Sequence, residues 1–82
     1  MSRNFFESIE PVRTKMIDLQ RDRRISIRGF TYGVEKGNAF LTLEFDVLQL
    51  RTQTREYICR TFNAPAMDGA VTEALALLNL IH

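Results

Sequence analysis

Few side chains in this sequence have the types from which a reaction could be built. Nucleophilic catalysis needs a nucleophile, a base to take its proton and a group to orient that base. The single cysteine is Cys59 and the single histidine is His82, the last residue given. Cys59 falls in a strand-like run and is expected as a buried thiol packing like a small apolar group, with His82 as an end group. One cysteine and one histidine fall short of the four ligands of a structural zinc site, and a lone thiol forms no disulfide within its own chain. No catalytic residue, cofactor, metal or small-molecule substrate is therefore expected.

Paired carboxylates can do acid–base or cation chemistry. Glu44 and Asp46 alternate on the polar side of a strand pattern, and Glu56 is expected across from them. Arg51, Arg55 and Arg60 are at hand to neutralise this group, so the expectation is a solvated, salt-bridged sheet face. Gly29, Gly33 and Gly37 recur at every fourth position, which fits neither a dinucleotide loop nor a P-loop, and they read as residues of β geometry. The strongest basic feature is Arg21, Arg23, Arg24 and Arg28, interrupted by Asp22 and followed by Phe30 and Tyr32. Arginines beside exposed aromatics hold single-stranded nucleic acid by phosphate contact and stacking. Cations behind a helix C-terminus also satisfy its dipole, which is the structural alternative.

The elements that must carry these groups follow from periodicity. Phe5, Ile9, Val12, Met16 and Leu19 are spaced by alternating fours and threes, which places them on one helical face. Pro11 leaves two readings of the start. Either Ser8 caps a helix running to about Asp22 that holds Pro11 in its first turn, or Asn4 caps a longer one, with Glu7 completing a capping box, that bends at Pro11. The longer helix is preferred, because it gives Phe5 and Phe6 a place. Ile25 and Ile27 alternate with polar residues, then Phe30, Tyr32 and Val34 alternate in the opposite phase. The change falls at Gly29 and signals either a β-bulge or plain coiling of the strand. Glu35-Lys36-Gly37-Asn38 is a turn. Ala39, Leu41, Leu43, Phe45 and Val47 then share one face of a second strand, with a polar middle on the other. After a loose connection over Leu50–Thr54, a third strand runs from Arg55 to Phe62.

Asn63 is expected to cap the last helix, with Pro65 in its first turn. Between Glu73 and His82 only Asn79 is polar. Met67, Val71, Leu75 (or Ala74), Leu78 and Ile81 make a normal core stripe, and Leu77 and Leu80 lie beside it. Burying a leucine is worth roughly 1.5–3 kcal/mol, so this helix carries more apolar surface than one stripe uses. Either the stripe is wide enough to pack on both the sheet and the first helix, or Leu77, Leu80 and Ile81 face a partner.

Composition sets the class. The chain of 82 residues is 45% hydrophobic and 26% charged, which is a single globular domain over residues 1–82. Net charge is +1, with eight basic residues against five acids over residues 1–36 and three against five over the rest, a mild polarity. No apolar run is long enough for a membrane span or a signal-peptide core, and the lone thiol suits a reducing, cytoplasmic location. The order helix–strand–strand–strand–helix resembles the double-stranded RNA-binding domain over most of the chain, and Ala70–Leu78 is similar to that family's alanine-rich second helix. The family contacts RNA through a Gly-Pro-x-His-type loop and lysines at the start of that helix. Here those places read Glu35-Lys36-Gly37-Asn38 and Ala64-Pro65-Ala66-Met67-Asp68-Gly69. The resemblance therefore implies the topology and none of those RNA contacts.

The expected fold is α+β, a three-stranded antiparallel meander with two helices on one face. Its core should hold Phe5, Ile9, Val12, Met16, Leu19, Ile27, Leu41, Leu43, Phe45, Val71, Leu75 and Leu78. The expected function is a non-catalytic protein-interaction module, a homodimer or an inhibitor or adaptor on a larger complex, using Leu77, Leu80 and Ile81. Stand-alone domains of this size are often carried by phages and other mobile elements. Nucleic-acid binding through Arg21, Arg23, Arg24 and Arg28 is the alternative.

Overall fold

Helix α1 spans Phe5–Arg21, β1 Ile25–Glu35, β2 Asn38–Gln49, β3 Thr54–Ala64 and α2 Met67–Leu78, in a computed structural model that describes residues 5–81. The long version of the first helix forms, so Ser8 lies inside it, while Asn4 and His82 fall outside the described residues. Pro11 sits within α1 with its ring toward solvent, and the helix runs on through it. The packing of Ile9, Val12, Met16 and Leu19, all buried, outweighs the hydrogen bond that Pro11 cannot donate. The helix ends in a Schellman turn. Arg24 N–H donates to the Leu19 carbonyl at 2.8 Å and Arg23 N–H to that of Gln20 at 3.0 Å, with Arg23 left-handed at φ 60°.

The strands form one antiparallel sheet in the order β1-β2-β3. The phase change in β1 is a bulge: the pairing shifts between Ile27 and Gly29, and Arg28 is the extra residue. The β1–β2 turn is the two-residue loop Lys36-Gly37, with φ of 53° and 81°, a type I′ geometry that matches the twist of the strands.

Pairing fixes which side chains share a face. On the helix side the rows across the sheet are Ile25–Val47–Glu56, Ile27–Phe45–Ile58, Phe30–Leu43–Arg60, Tyr32–Leu41–Phe62 and Val34–Ala39–Ala64. On the open side they are Ser26–Asp46–Tyr57, Gly29–Glu44–Cys59, Thr31–Thr42–Thr61 and Gly33–Phe40–Asn63. The core lies between the helices and β2, where Leu41, Leu43 and Phe45 are wholly buried with Ile9, Val12, Met67, Ala70, Ala74 and Leu78. Phe5, Ile27 and Leu75 are half-buried at its margin rather than central.

Two expectations about the third strand and the last helix are corrected. Asn63 does not cap α2. The β2–β3 ladder continues to Ala39↔Ala64, which keeps Asn63 in the strand, and the N-cap is Ala66 with no side-chain hydrogen bond. Pro65 lies between strand and helix. Cys59 is not buried: it lies on the open face of an edge strand and is exposed. At the other end α2 stops at Leu78, and Leu80 N–H and Ile81 N–H bond the carbonyls of Leu77 and Leu78 at 3.1 Å each in a tightened last turn. Among the described residues no helix is long and apolar enough to cross a membrane.

Candidate functional site

The unmatched lengths of α2 and the strands create the main concave surface. Twelve helical residues reach about 18 Å, whereas the eleven residues of β3 reach about 36 Å. Starting beside the β1–β2 end, α2 runs out before it reaches the β2–β3 turn. Its last residues then overhang the uncovered part of the sheet.

The result is an open groove of about 610 Å³ with a floor of Val47, Ile58, Leu77 and Ile81. Leu80 (73% exposed) and Leu50 (64% exposed) stand at its edges with Arg24, Arg51 and Glu56. Leu77, Leu80 and Ile81 therefore lie together, but they differ. Leu77 and Ile81 are half-buried against the core, and Leu80 projects into water. The sheet residues that complete the groove were not foreseen from the sequence, because Val47 and Ile58 read there as ordinary strand positions.

A second apolar cleft, also unforeseen, lies between α1 and β1. It has a volume of about 330 Å³ and is lined by Arg13, Met16, Ile17, Ile27, Phe30 and Tyr32. The Arg13 guanidinium lies 5.7 Å from the ring centres of both Phe6 and Phe30, a cation–π bridge between helix and strand. The signal was present: Phe6, Arg13 and Ile17, spaced by seven and four, form a stripe beside the buried face of α1.

The acidic group is divided by the sheet. Glu56 pairs with Val47 on the helix side, so it does not stand across from Glu44 and Asp46. On the open side, Asp46 accepts a bond from Arg28 Nη1 at 3.1 Å, and Glu44 Oε2 accepts one from the Tyr57 hydroxyl at 2.7 Å. That bond is the main reason the Tyr57 phenol is pushed up to about 12, with desolvation and the neighbouring Cys59 adding to it. Glu44 also covers Gly29, where a Cβ would lie 2.9 Å from its Oε1. Both carboxylates are thus engaged within the chain. Among the described residues no three His, Cys, Asp or Glu side chains gather as a metal site would require.

The basic group is also dispersed. Arg21 ends α1, Arg23 is the left-handed residue of the turn, and Arg24 borders the groove on the helix side. Arg28, raised by the bulge, pairs with Asp46 on the open side. Arg28 and Arg24 thus lie on opposite sides of the sheet. Neither a family model, nor a curated protein, nor a solved structure matches this chain.

Proposed function

We propose that this domain is a non-catalytic protein-interaction module that binds another polypeptide through the groove at the end of α2. The observation that carries the reading is the grouping of Leu50, Leu77, Leu80 and Ile81 around Val47 and Ile58 in one open, largely apolar concavity. An apolar protein segment covering it would bury side chains worth roughly 1.5–3 kcal/mol each. Such a module acts as an inhibitor or adaptor on a larger assembly, or joins copies of itself. Catalysis is disfavoured because the carboxylates that could do it hold structural bonds to Tyr57 and Arg28. Nucleic-acid binding is less well supported, because its four arginines are divided between the two faces of the sheet and the turn between α1 and β1.

Site-directed photocrosslinking tests this. A benzophenone is attached at Leu80→Cys in a Cys59→Ser background, and for comparison at Glu73→Cys, an exposed position on the same helix. Irradiation in an extract of the cells that encode the chain should give a discrete protein adduct from position 80 and none from position 73. The captured protein, once purified, should bind the parent chain and lose binding to Leu77→Asp. Equal labelling from both positions, or binding indifferent to Leu77→Asp, overturns the reading.

A further inference from the structure

The groove opens beside β3, and among the described residues no element pairs with the outer edge of that strand. Of the two edges, β1 is blunted in two ways. Its ladder is broken by the bulge at Arg28, and the Ile27 N–H is capped by Gln20 Oε1 at 2.8 Å. By contrast β3 has no proline and no bulge, and its pairing with β2 is unbroken over eleven residues. The elements that touch it are β2 beside it and α2 above it. An edge of this kind is a template for another strand.

The side chains of β3 indicate which strand. On its helix side it carries Glu56, Ile58 and Arg60, so opposite charges flank an apolar residue symmetrically. Glu56 and Arg60 cannot reach each other within one strand, where four residues span about 13 Å. Neither has an ion-pair partner among the described residues. We infer that β3 of one copy pairs antiparallel with β3 of a second copy about a two-fold axis at Ile58, joining two three-stranded sheets into one. In that register Glu56 faces Arg60 of the second copy and Arg60 faces its Glu56, while Ile58 meets Ile58.

Neighbouring registers are poorer. An axis at Tyr57 sets Glu56 against Ile58 and Arg60 against Thr54, and an axis at Cys59 sets Arg60 against Ile58 and Glu56 against Phe62. Each faces a charge with an apolar side chain and satisfies none. Ile58 is also part of the groove floor, so the axis at this residue brings the two grooves, with Leu77 and Leu80, together. The inference rests on reading that groove as protein-binding and names a second copy of this chain as what covers it.

The test is charge reversal, read by sedimentation equilibrium on the purified chain. The parent chain should be a concentration-dependent dimer. Glu56→Arg and Arg60→Glu should each weaken it by roughly tenfold or more, since each places like charges opposite one another. The doubly reversed chain should recover the parent affinity within about threefold, and an equimolar mixture of the two single variants should form a heterodimer. Circular dichroism on every variant separates loss of folding from loss of pairing. In a Cys59→Ser background, Ile58→Cys should form an interchain disulfide on mild oxidation, and Arg55→Cys, which this register places opposite Thr61, should not. A parent chain that stays monomeric at millimolar concentration overturns the inference, as does a dimer indifferent to both reversals. If position 80 still crosslinks a different, identified protein, the groove reading survives that failure. If it does not, both fall.

Discussion

At the scale of single residues, the Tyr57–Glu44 contact is the one with a titration attached. A tyrosine held by a carboxylate resists losing its proton, because the phenolate would face a second negative charge. The folded chain therefore keeps the Tyr57 proton up to about 12, against 10.0 for an unperturbed phenol. Between these values the unfolded chain releases the proton first. The stabilisation from this contact is thus complete below pH 10 and is lost as pH rises through about 12. Glu44→Gln removes the charge and should bring the Tyr57 midpoint down toward 10, read from phenolate absorbance with Tyr57→Phe as the assignment control. Gly29→Ala should act in the same direction, by pushing the Glu44 carboxylate off its place over the strand. A Tyr57 midpoint still near 12 in Glu44→Gln would show that the carboxylate is not its cause. The sequence named Glu44 but not this partner. Tyr57 stands directly opposite Asp46 and reaches Glu44 diagonally, and a diagonal neighbour is known only once strand register is known. The same holds for Glu56, whose face depends on where β3 starts its pairing, and for Cys59, which alternation placed in a strand without saying that the strand was an edge.

At the scale of elements, periodicity carried most of the information. Alternation along Ala39–Val47 and the helical spacing of Ile9, Val12, Met16 and Leu19 are each enforced by one buried face, so they could be read directly. The ends were harder, because caps and turns depend on single residues. Asn63 has the right chemistry for an N-cap, yet two more pairs of ladder with β2 kept it in the strand. Arg23 closes α1 in a conformation that glycine usually takes, so no glycine marked the spot. Lys36 presents the same situation, and there it can be tested. A lysine at φ 53° carries a steric cost that asparagine largely avoids, while Gly37 at φ 81° has no such cost to relieve. Lys36→Asn should therefore stabilise the fold by about 0.5–1 kcal/mol in urea denaturation, and Gly37→Ala should destabilise it by about 1–2 kcal/mol. Equal and small effects from both would mean that the hairpin relaxes to another turn.

At the scale of the whole molecule, the decisive quantity is how little of the sheet two short helices can cover. Helix α1 packs over β1, and α2 over β2 and β3, and together they leave the β2–β3 end and a cleft beside β1 open, in a narrow body of 48 × 20 × 18 Å. The sequence showed a surplus of leucines but not where the surplus would fall, since that depends on comparing a helical rise with an extended one after docking. The same imbalance predicts an uneven response to substitution. Phe45 is wholly buried in the central strand, and Leu80 is largely in water. Phe45→Ala should cost about 3–5 kcal/mol, a large part of the roughly 4–12 kcal/mol available to a chain of this length. Leu80→Ala should cost under about 0.5 kcal/mol in a dilute, monomeric sample. Urea denaturation at low protein concentration measures both. Repeating it at high concentration separates the two roles of the apolar side chains. If the groove is covered by another copy, Leu80→Ala should become more costly as concentration rises, because it then removes contacts between chains, whereas the loss from Phe45→Ala is already present in the isolated fold. A Leu80→Ala penalty that is large at every concentration would place that leucine in the core of the single chain and leave the groove without a ligand to explain it.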